Sequence, residues 1–269
     1  MVYLDGKFLK KSEAKVSIAD PGLLCGFGVF ETMRSLNQKI VYLDQHIRRI
    51  IDAAKLIGLK PKYSASQLKS AISATVKRNS FRDACVRLTS WQAEVGTSVS
   101  IIARKYQAPS AQKYKQGFSS CVSSLRQTDD SKLARIKTTS RALYQLSLRE
   151  AEGKGFDEAL ILNSRGYITE AARSNIFLVK EGKLLTPSLD CGCLDGITRR
   201  AIFDLARRSF QISEGKFTVK DLFCADEAFL TNSLMGVMPL TSIDGKAIGN
   251  NQCGKITKLF IKKYRYLLK

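Results

Sequence analysis

The sequence predicts a mixed α+β or α/β fold in two domains. Three observations lead there. Residues 2–9 alternate apolar and polar side chains, and further short segments along the chain read as strands. Between them lie stretches whose apolar residues recur at helical spacing. A polar, aperiodic run at residues 106–117 interrupts both patterns and reads as a linker. The expected division is a smaller N-terminal α+β domain over residues 1–105, the linker, and a larger C-terminal domain over residues 118–269.

Taken in order, residues 2–9 alternate through Val2, Leu4 and Phe8 around Asp5-Gly6, a strand and a tight turn. Residues 39–43 suggest a second strand. A helix follows from His46 to Ile57, ended by Gly58, with Ile47, Ile50, Ile51, Ala54 and Ile57 on one face. Lys69–Arg78 reads as a second amphipathic helix, and Cys85–Ser90 and Val99–Ala103 as strands. Beyond the linker, Ser119–Leu125 is strand-like and Ser140–Gly153 helical. Ala159–Asn163, Tyr167–Glu170, Asn175–Val179 and Lys183–Thr186 read as short strands joined at Ser-Arg-Gly and Glu-Gly turns. A helix opens at Gly196-Ile-Thr and runs to about Ser209, and Asp226–Thr231 is another strand.

Composition excludes several classes. The chain has 269 residues and is 44% hydrophobic, enough for a sizeable core, yet no stretch is apolar enough to span a bilayer. The N-terminus lacks a basic segment followed by an apolar one, so cytoplasmic location is the expectation. Seven cysteines, an odd number, fit free thiols better than a disulfide framework. Cys191-Gly-Cys193 has no second ligand pair, and no metal site is expected. His46 is the single histidine; it stands at a helix start, which suggests a capping or surface role, and no Ser-His-Asp or Cys-His pairing emerges. The formal charge of +20 could attract nucleic acid, but the basic residues are scattered and no recognition motif accompanies them. The expected meaning is solvated surface and attraction of an anionic substrate. A basic nucleic-acid-binding protein is the rival reading.

Several side chains stand out chemically. Glu170 lies in the apolar run Gly166–Val179, where a buried carboxylate needs a cation or several donors; as an edge-strand residue it would instead face water. On the helix from His46, Arg48 falls on the polar face with Asp52 and Lys55. Arg49 falls between Ala53 and Leu56 and turns inward, towards either a structural ion pair or a bound anion. The helix starting at Gly196 presents unpaired N–H groups, which take a cap, water or a phosphate. Anion seats and a solitary carboxylate suit a phosphorylated, cationic cofactor.

Four blocks in the right order then resemble one family. They are Asp20–Arg34; His46-Ile-Arg-Arg-Ile50; Ile136-Lys137 with Gly166–Glu170 and Ser174–Phe177; and Leu194–Arg199 with Thr231-Asn-Ser233 and Pro239. Together they resemble the fold-type IV pyridoxal-phosphate enzymes, the class IV aminotransferase family, with the two-domain, D-amino-acid-aminotransferase-like fold. The resemblance implies pyridoxal 5′-phosphate as cofactor, bound in a cleft between the domains, and a homodimer with a small amino substrate. It makes Lys137 the lysine that carries the cofactor and moves the proton. Glu170 becomes the partner of the pyridine nitrogen, Arg49 the phosphate-binding arginine, and Leu194 a residue packed on the ring. Ile197, Thr198 and Ser233 become phosphate donors.

Within the family, Phe30-Glu-Thr-Met-Arg34, the Arg141 that follows Lys137, and Thr231–Pro239 resemble 4-amino-4-deoxychorismate lyase. That activity, which eliminates pyruvate to give 4-aminobenzoate for folate biosynthesis, is the expected one. Branched-chain or D-amino-acid aminotransferase is the alternative. The Arg-Gly-rich stretch that many relatives carry after Arg87-Leu-Thr89 is replaced by Ser90–Gly96. Arg34, Arg87 and Arg141 are therefore the candidates for holding substrate carboxylates, each equally able to form a structural ion pair.

Overall fold

A computed structural model of the chain describes residues 1–128 and 132–268. They form two compact units: Met1–Gln107 with Ile136–Ser140, and Ala108–Arg135 with Arg141–Lys269. The short segment around Lys137 thus belongs to the first unit although it is far along the chain.

In the first unit the elements are β1 (Val2–Leu4), β2 (Lys7–Leu9), α1 (Pro21–Leu24), β3 (Gly28–Leu36), β4 (Lys39–Ile40), α2 (Leu43–Leu56), α3 (Ala65–Arg78), β5 (Ala84–Gln92) and β6 (Thr97–Lys105). The six strands make one antiparallel sheet in the order β2-β1-β6-β5-β3-β4. Its core joins Val29 and Met33 of β3, Val86 and Leu88 of β5, and Ile101 of β6 to Ile47 and Ile50 of α2 and Leu68, Ile72 and Val76 of α3. Helical spacing predicts this face of α2. The helix starts three residues earlier than that spacing suggests, and Gly58 follows its end at φ +78°, a backbone region that favours glycine. Helix α3 opens with a capping box, the Ser64 hydroxyl accepting from Gln67 N and the Gln67 side chain accepting from Ser64 N. The long strand β3 is absent from the sequence reading because Glu31 breaks its apolar face.

The second unit contains α4 (Ala111–Gln116), β7 (Phe118–Gln127), α5 (Ala142–Gly153), β8 (Glu158–Asn163), β9 (Ile168–Ala171), β10 (Asn175–Lys180), β11 (Lys183–Pro187), α6 (Ile197–Ala206), β12 (Ile212–Gly215), α7 (Val219–Phe223), β13 (Glu227–Asn232), β14 (Gly236–Ile243), β15 (Lys246–Ala247) and α8 (Lys255–Leu267). Residues 106–117, read above as a linker, therefore include a helix. The sheet order is β12-β11-β10-β13-β14-β7-β8-β9, with β15 beside β14. It is mixed: β14–β7, β7–β8 and β11–β12 run parallel. Phe177 of β10 and Phe229 of β13 stack at 5.0 Å, and Phe203 of α6 and Phe260 of α8 close over them. On α5, Leu148 and Ala151 pack against Cys121, Ala159 and Ile161 of β7 and β8.

Strand β14 and helix α8 escape the sequence reading. The α8 stretch carries five basic residues among its thirteen, which mask its apolar period, yet Phe260 and Tyr264 are buried at helical spacing. Its start is held by a carboxylate from another element: Glu227 accepts from Ile256 N at 3.0 Å and from Thr257 N at 2.7 Å. An anion here answers both the unpaired N–H groups and the helix dipole. A side chain at Gly254 would strike Glu227. Glu227→Ala is expected to lower stability by about 1–2 kcal/mol, read as a fall of a few degrees in Tm, with Glu227→Gln losing less.

Candidate active site

Within the first unit, one carboxylate organises one face of the sheet. Period two along β3 places Glu31 with Val29 and Met33 on the side that faces α2, and Glu31 is fully buried. Arg49 grips it with both arms of its guanidinium, Nε donating to Oε1 at 2.6 Å and Nη2 to Oε2 at 2.7 Å. His46 Nδ1 lies 2.7 Å from Oε2. Arg48 is exposed and Arg49 turns inward, as helical spacing predicts. The anion Arg49 meets is Glu31, so the ion-pair alternative holds within this unit.

His46 departs from expectation. It is buried, with 1% exposure, instead of capping the helix or facing solvent. It stands three residues before Arg49, so both reach the same carboxylate from one helix face. Burial would raise the Glu31 carboxyl, but the Arg49 charge, then the His46 and Arg49 hydrogen bonds, outweigh it and bring it down to about 2. Burial pushes His46 below its ordinary value against the pull of Glu31, helped by the charges of Arg49 and Lys137. His46 is thus neutral and donates Nδ1–H to Glu31. Glu31 was legible in principle, as an acid on an apolar strand face opposite a helix carrying His and Arg three apart.

The segment Ile136–Ser140 runs along the edge of β3, Phe30 N donating to Lys137 O at 2.9 Å and Thr139 N to Gly28 O at 2.8 Å, and period two puts Phe30, Thr32 and Arg34 on the face opposite Glu31. Lys137 Nζ stands 4.8 Å from the Phe30 ring centre, and the Arg87 guanidinium 3.8 Å from it. Arg87 pairs with Thr32 across the β3–β5 ladder, and Arg34 with Cys85. Arg34 lies over the Tyr106 ring at 4.3 Å, and its buried Nε has no hydrogen-bond partner. This face of the first unit is cationic and gathers Lys137, Arg87 and Arg34.

Within the second unit, Glu170 sits on β9 opposite Ile161; β9 is the last strand of the sheet, yet Glu170 is 5% exposed and does not face water. Three neutral donors meet it. Tyr144 Oη donates to Oε1 at 3.0 Å, while Asn175 Nδ2 and the Leu194 backbone N each donate to Oε2 at 3.2 Å. Asn175 Nδ2 also donates to Leu194 O at 2.7 Å, so one amide ties Glu170 to the approach to α6. Gly196 caps α6 without any side-chain bond, and a Cβ there would strike Asn175 Oδ1. Ile197 and Thr198 are the first two residues of α6 and are buried; Thr198 Oγ1 lies 3.4 Å from Tyr264 Oη.

Across from Asn175 in the ladder stands Thr231, whose buried hydroxyl has no partner. Ser233 follows in the β13–β14 turn, which Asn232 pins by accepting from Leu234 N and Met235 N. Arg141 precedes α5, its guanidinium 3.7 Å above the Tyr144 ring and Nη2 donating to Ala172 O at 2.7 Å. The second unit therefore brings together Glu170, Leu194 and the start of α6 at Ile197 and Thr198, with Arg141 beside Tyr144, and sets Ser233 in the turn two residues after the Thr231 that faces Asn175. Asn175 and Tyr144 were missed. The first lies in a quoted block, but nothing in its spacing marks an amide as a bridge. The second lies on a helix whose apolar periodicity already accounts for a tyrosine.

Comparison with known proteins gives this geometry a family. The amino-transferase class IV family matches residues 28–243. A D-alanine aminotransferase of Bacillus licheniformis is 30% identical over 96% of this chain and 93% of its own length. A branched-chain-amino-acid aminotransferase of Pseudomonas aeruginosa is 29% identical over 98% of this chain and 91% of its own. The crystal structure of the Escherichia coli branched-chain amino acid aminotransferase superposes with a TM-score of 0.94 at 28% identity, covering 100% of this chain and 94% of that one. The chain belongs to the class IV aminotransferases, has their fold-type IV architecture, and is a pyridoxal-phosphate-dependent enzyme. The second unit fits that cofactor: a buried carboxylate, an uncapped helix N-terminus and an orphaned buried hydroxyl adjoin one another around Asn175.

Removing the charge of Glu31 is expected to cost about 3–5 kcal/mol at neutral pH, because Arg49 is left without its anion. The carboxyl is depressed from its ordinary 4.5 to about 2, so its stabilising effect is complete above pH 4.5. That effect declines as the pH falls through this window towards 2. Urea unfolding of Glu31→Gln should therefore lie well below wild type at pH 7 and approach it in acid.

Proposed function

We propose that this chain is an aminotransferase that moves the amino group of a branched-chain amino acid to a 2-keto acid. The observation that carries the cofactor half of the reading is the buried Glu170 joined by Asn175 to the uncapped start of α6. Such an arrangement suits a ring nitrogen that must stay protonated and a phosphate that must be held. Relatives matched over nearly their whole lengths carry aminotransferase names, which favours amino transfer over the lyase reading.

When bound, pyridoxal 5′-phosphate supplies a carbon that the substrate amine attacks and a ring that takes up the electron pair left by proton loss. Glu170, ionised, would keep the proton on the ring nitrogen. Lys137 would carry the cofactor, then take the proton from the amine-bearing carbon and return it. Ile197 N, Thr198 N and Oγ1, and Ser233 Oγ would hold the phosphate, with Arg49 adding charge from a position already set by Glu31. Leu194 would pack against the ring. Arg34 and Arg87, on the cationic face with Lys137, suit a substrate carboxylate.

The lyase is the second reading, favoured by the Thr231–Pro239 turn and the Arg141 that follows Lys137. A homodimer belongs to the same proposal: Ile18, Leu23, Leu24 and Phe27 are exposed apolar residues in one stretch that a second copy would cover. Light scattering should then report twice the monomer mass.

The assay offers L-leucine, L-isoleucine, L-valine and D-alanine, each with 2-oxoglutarate, and separately aminodeoxychorismate. Glutamate and branched-chain keto acid are the expected products, and Lys137→Ala should abolish the yellow chromophore and lower turnover by about 10²–10⁴-fold. Pyruvate release from aminodeoxychorismate without any keto-acid formation would replace this reading by the lyase. Keto acid from D-alanine alone would move the substrate to the D-series. A colourless protein that binds DNA or RNA would replace both enzyme readings.

A further inference from the structure

Tyr144 is a half-buried ionisable group to which the cofactor chemistry assigns no role. Its surroundings are unusually directional. Gln127 Nε2 donates to its hydroxyl at 3.0 Å, and the hydroxyl lies 3.0 Å from Glu170 Oε1. A phenol has one proton. Because the oxygen accepts from Gln127, that proton is aimed at Glu170. The Arg141 guanidinium lies over the ring, 3.7 Å from its centre, and is itself tied to Ala172 O, so the ring is clamped from one side.

We propose that Tyr144 is a positioning residue that acts through Glu170, keeping that carboxylate ionised and aimed, and that Arg141 serves Tyr144 instead of a substrate carboxylate. The inference rests on the aminotransferase reading only in needing a ring nitrogen beside Glu170; it holds equally for the lyase. A donor on a carboxylate lowers its affinity for a proton. With Tyr144 donating to Oε1 and with Asn175 and Leu194 N donating to Oε2, Glu170 leaves the shared proton on the cofactor's nitrogen. The charged and titratable groups around the pair include Arg141, whose charge acts on both Tyr144 and Glu170, Glu158 acting on Arg141, and Cys193. Burial, then the Glu170 charge, push the Tyr144 phenol well above its ordinary value, so it stays protonated and remains a donor.

The test is ¹⁵N NMR of holoenzyme reconstituted with ring-¹⁵N pyridoxal phosphate, with single-turnover kinetics of proton abstraction. In Tyr144→Phe the nitrogen resonance should move towards its unprotonated position, and proton abstraction should slow about tenfold, the effect of one pKa unit. Incorporating 3-fluorotyrosine at position 144, which strengthens the donor and keeps the shape, should move the resonance the other way. Arg141→Met should shift the resonance in the sense of Tyr144→Phe, with KM for the amino substrate little changed. An unmoved resonance in both Tyr144 variants overturns the proposal, and a large rise in KM in Arg141→Met with an unmoved resonance overturns its second half. Should Tyr144→Phe fail to fold, the fluorotyrosine protein alone decides. Wild-type protein that takes up no cofactor defeats the enzyme reading and this inference with it, whereas a yellow wild type with unresponsive variants defeats this inference alone.

Discussion

Taking a carboxylate out of water is costly enough that whatever meets it must be built with care. This chain does so in each of its two units, by opposite means. Glu31 is met by charge: Arg49 engages both of its oxygens and His46 adds a short hydrogen bond. Glu170 is met by neutral donors on both oxygens. The first arrangement neutralises its acid internally. The second orients its acid with dipoles on both oxygens, as suits an acid that works on a bound cation.

The difference explains how the local structure is disposed. Around Glu31 the supporting side chains come from one helix face, so α2 and β3 are locked by ion pairing as well as by Ile47, Ile50, Val29 and Met33. Around Glu170 the neutral donors come from α5, the start of β10 and the approach to α6, three elements that converge on the acid. Gly196 matters for this convergence, since any side chain there would strike Asn175. The same buried amide therefore constrains the helix that offers its N–H groups to an anion and the acid that suits a protonated nitrogen.

Several features were legible before any coordinates. The apolar face of α2, the inward turn of Arg49, most strands of the second unit and the motif blocks around Lys137, Glu170 and Leu194 follow from periodicity or family wording. Strand β3 was hidden because its buried face carries an acid, and α8 because its lysines mask a spacing of buried aromatics. The lyase preference came from wording in Phe30–Arg34 and Thr231–Pro239; relatives matched over nearly the full chain carry aminotransferase names. Short motifs report on local contacts with the cofactor, which the whole family shares, and so discriminate poorly between reactions.

Periodicity and residue type were enough to say that a carboxylate in the run Gly166–Val179 must find donors, and that Arg49 must find an anion. These are requirements of solvation and hold in any fold. Which partners answer them depended on long-range packing. Glu31 reaches Arg49 across 18 positions, Tyr144 reaches Glu170 across 26, and Leu194 N reaches it across 24. Such pairings are set by strand order and helix placement, which no local pattern encodes. The chain could thus announce the need for partners at each site, but only folding brought Arg49 and His46 to Glu31, and Tyr144, Asn175 and Leu194 N to Glu170.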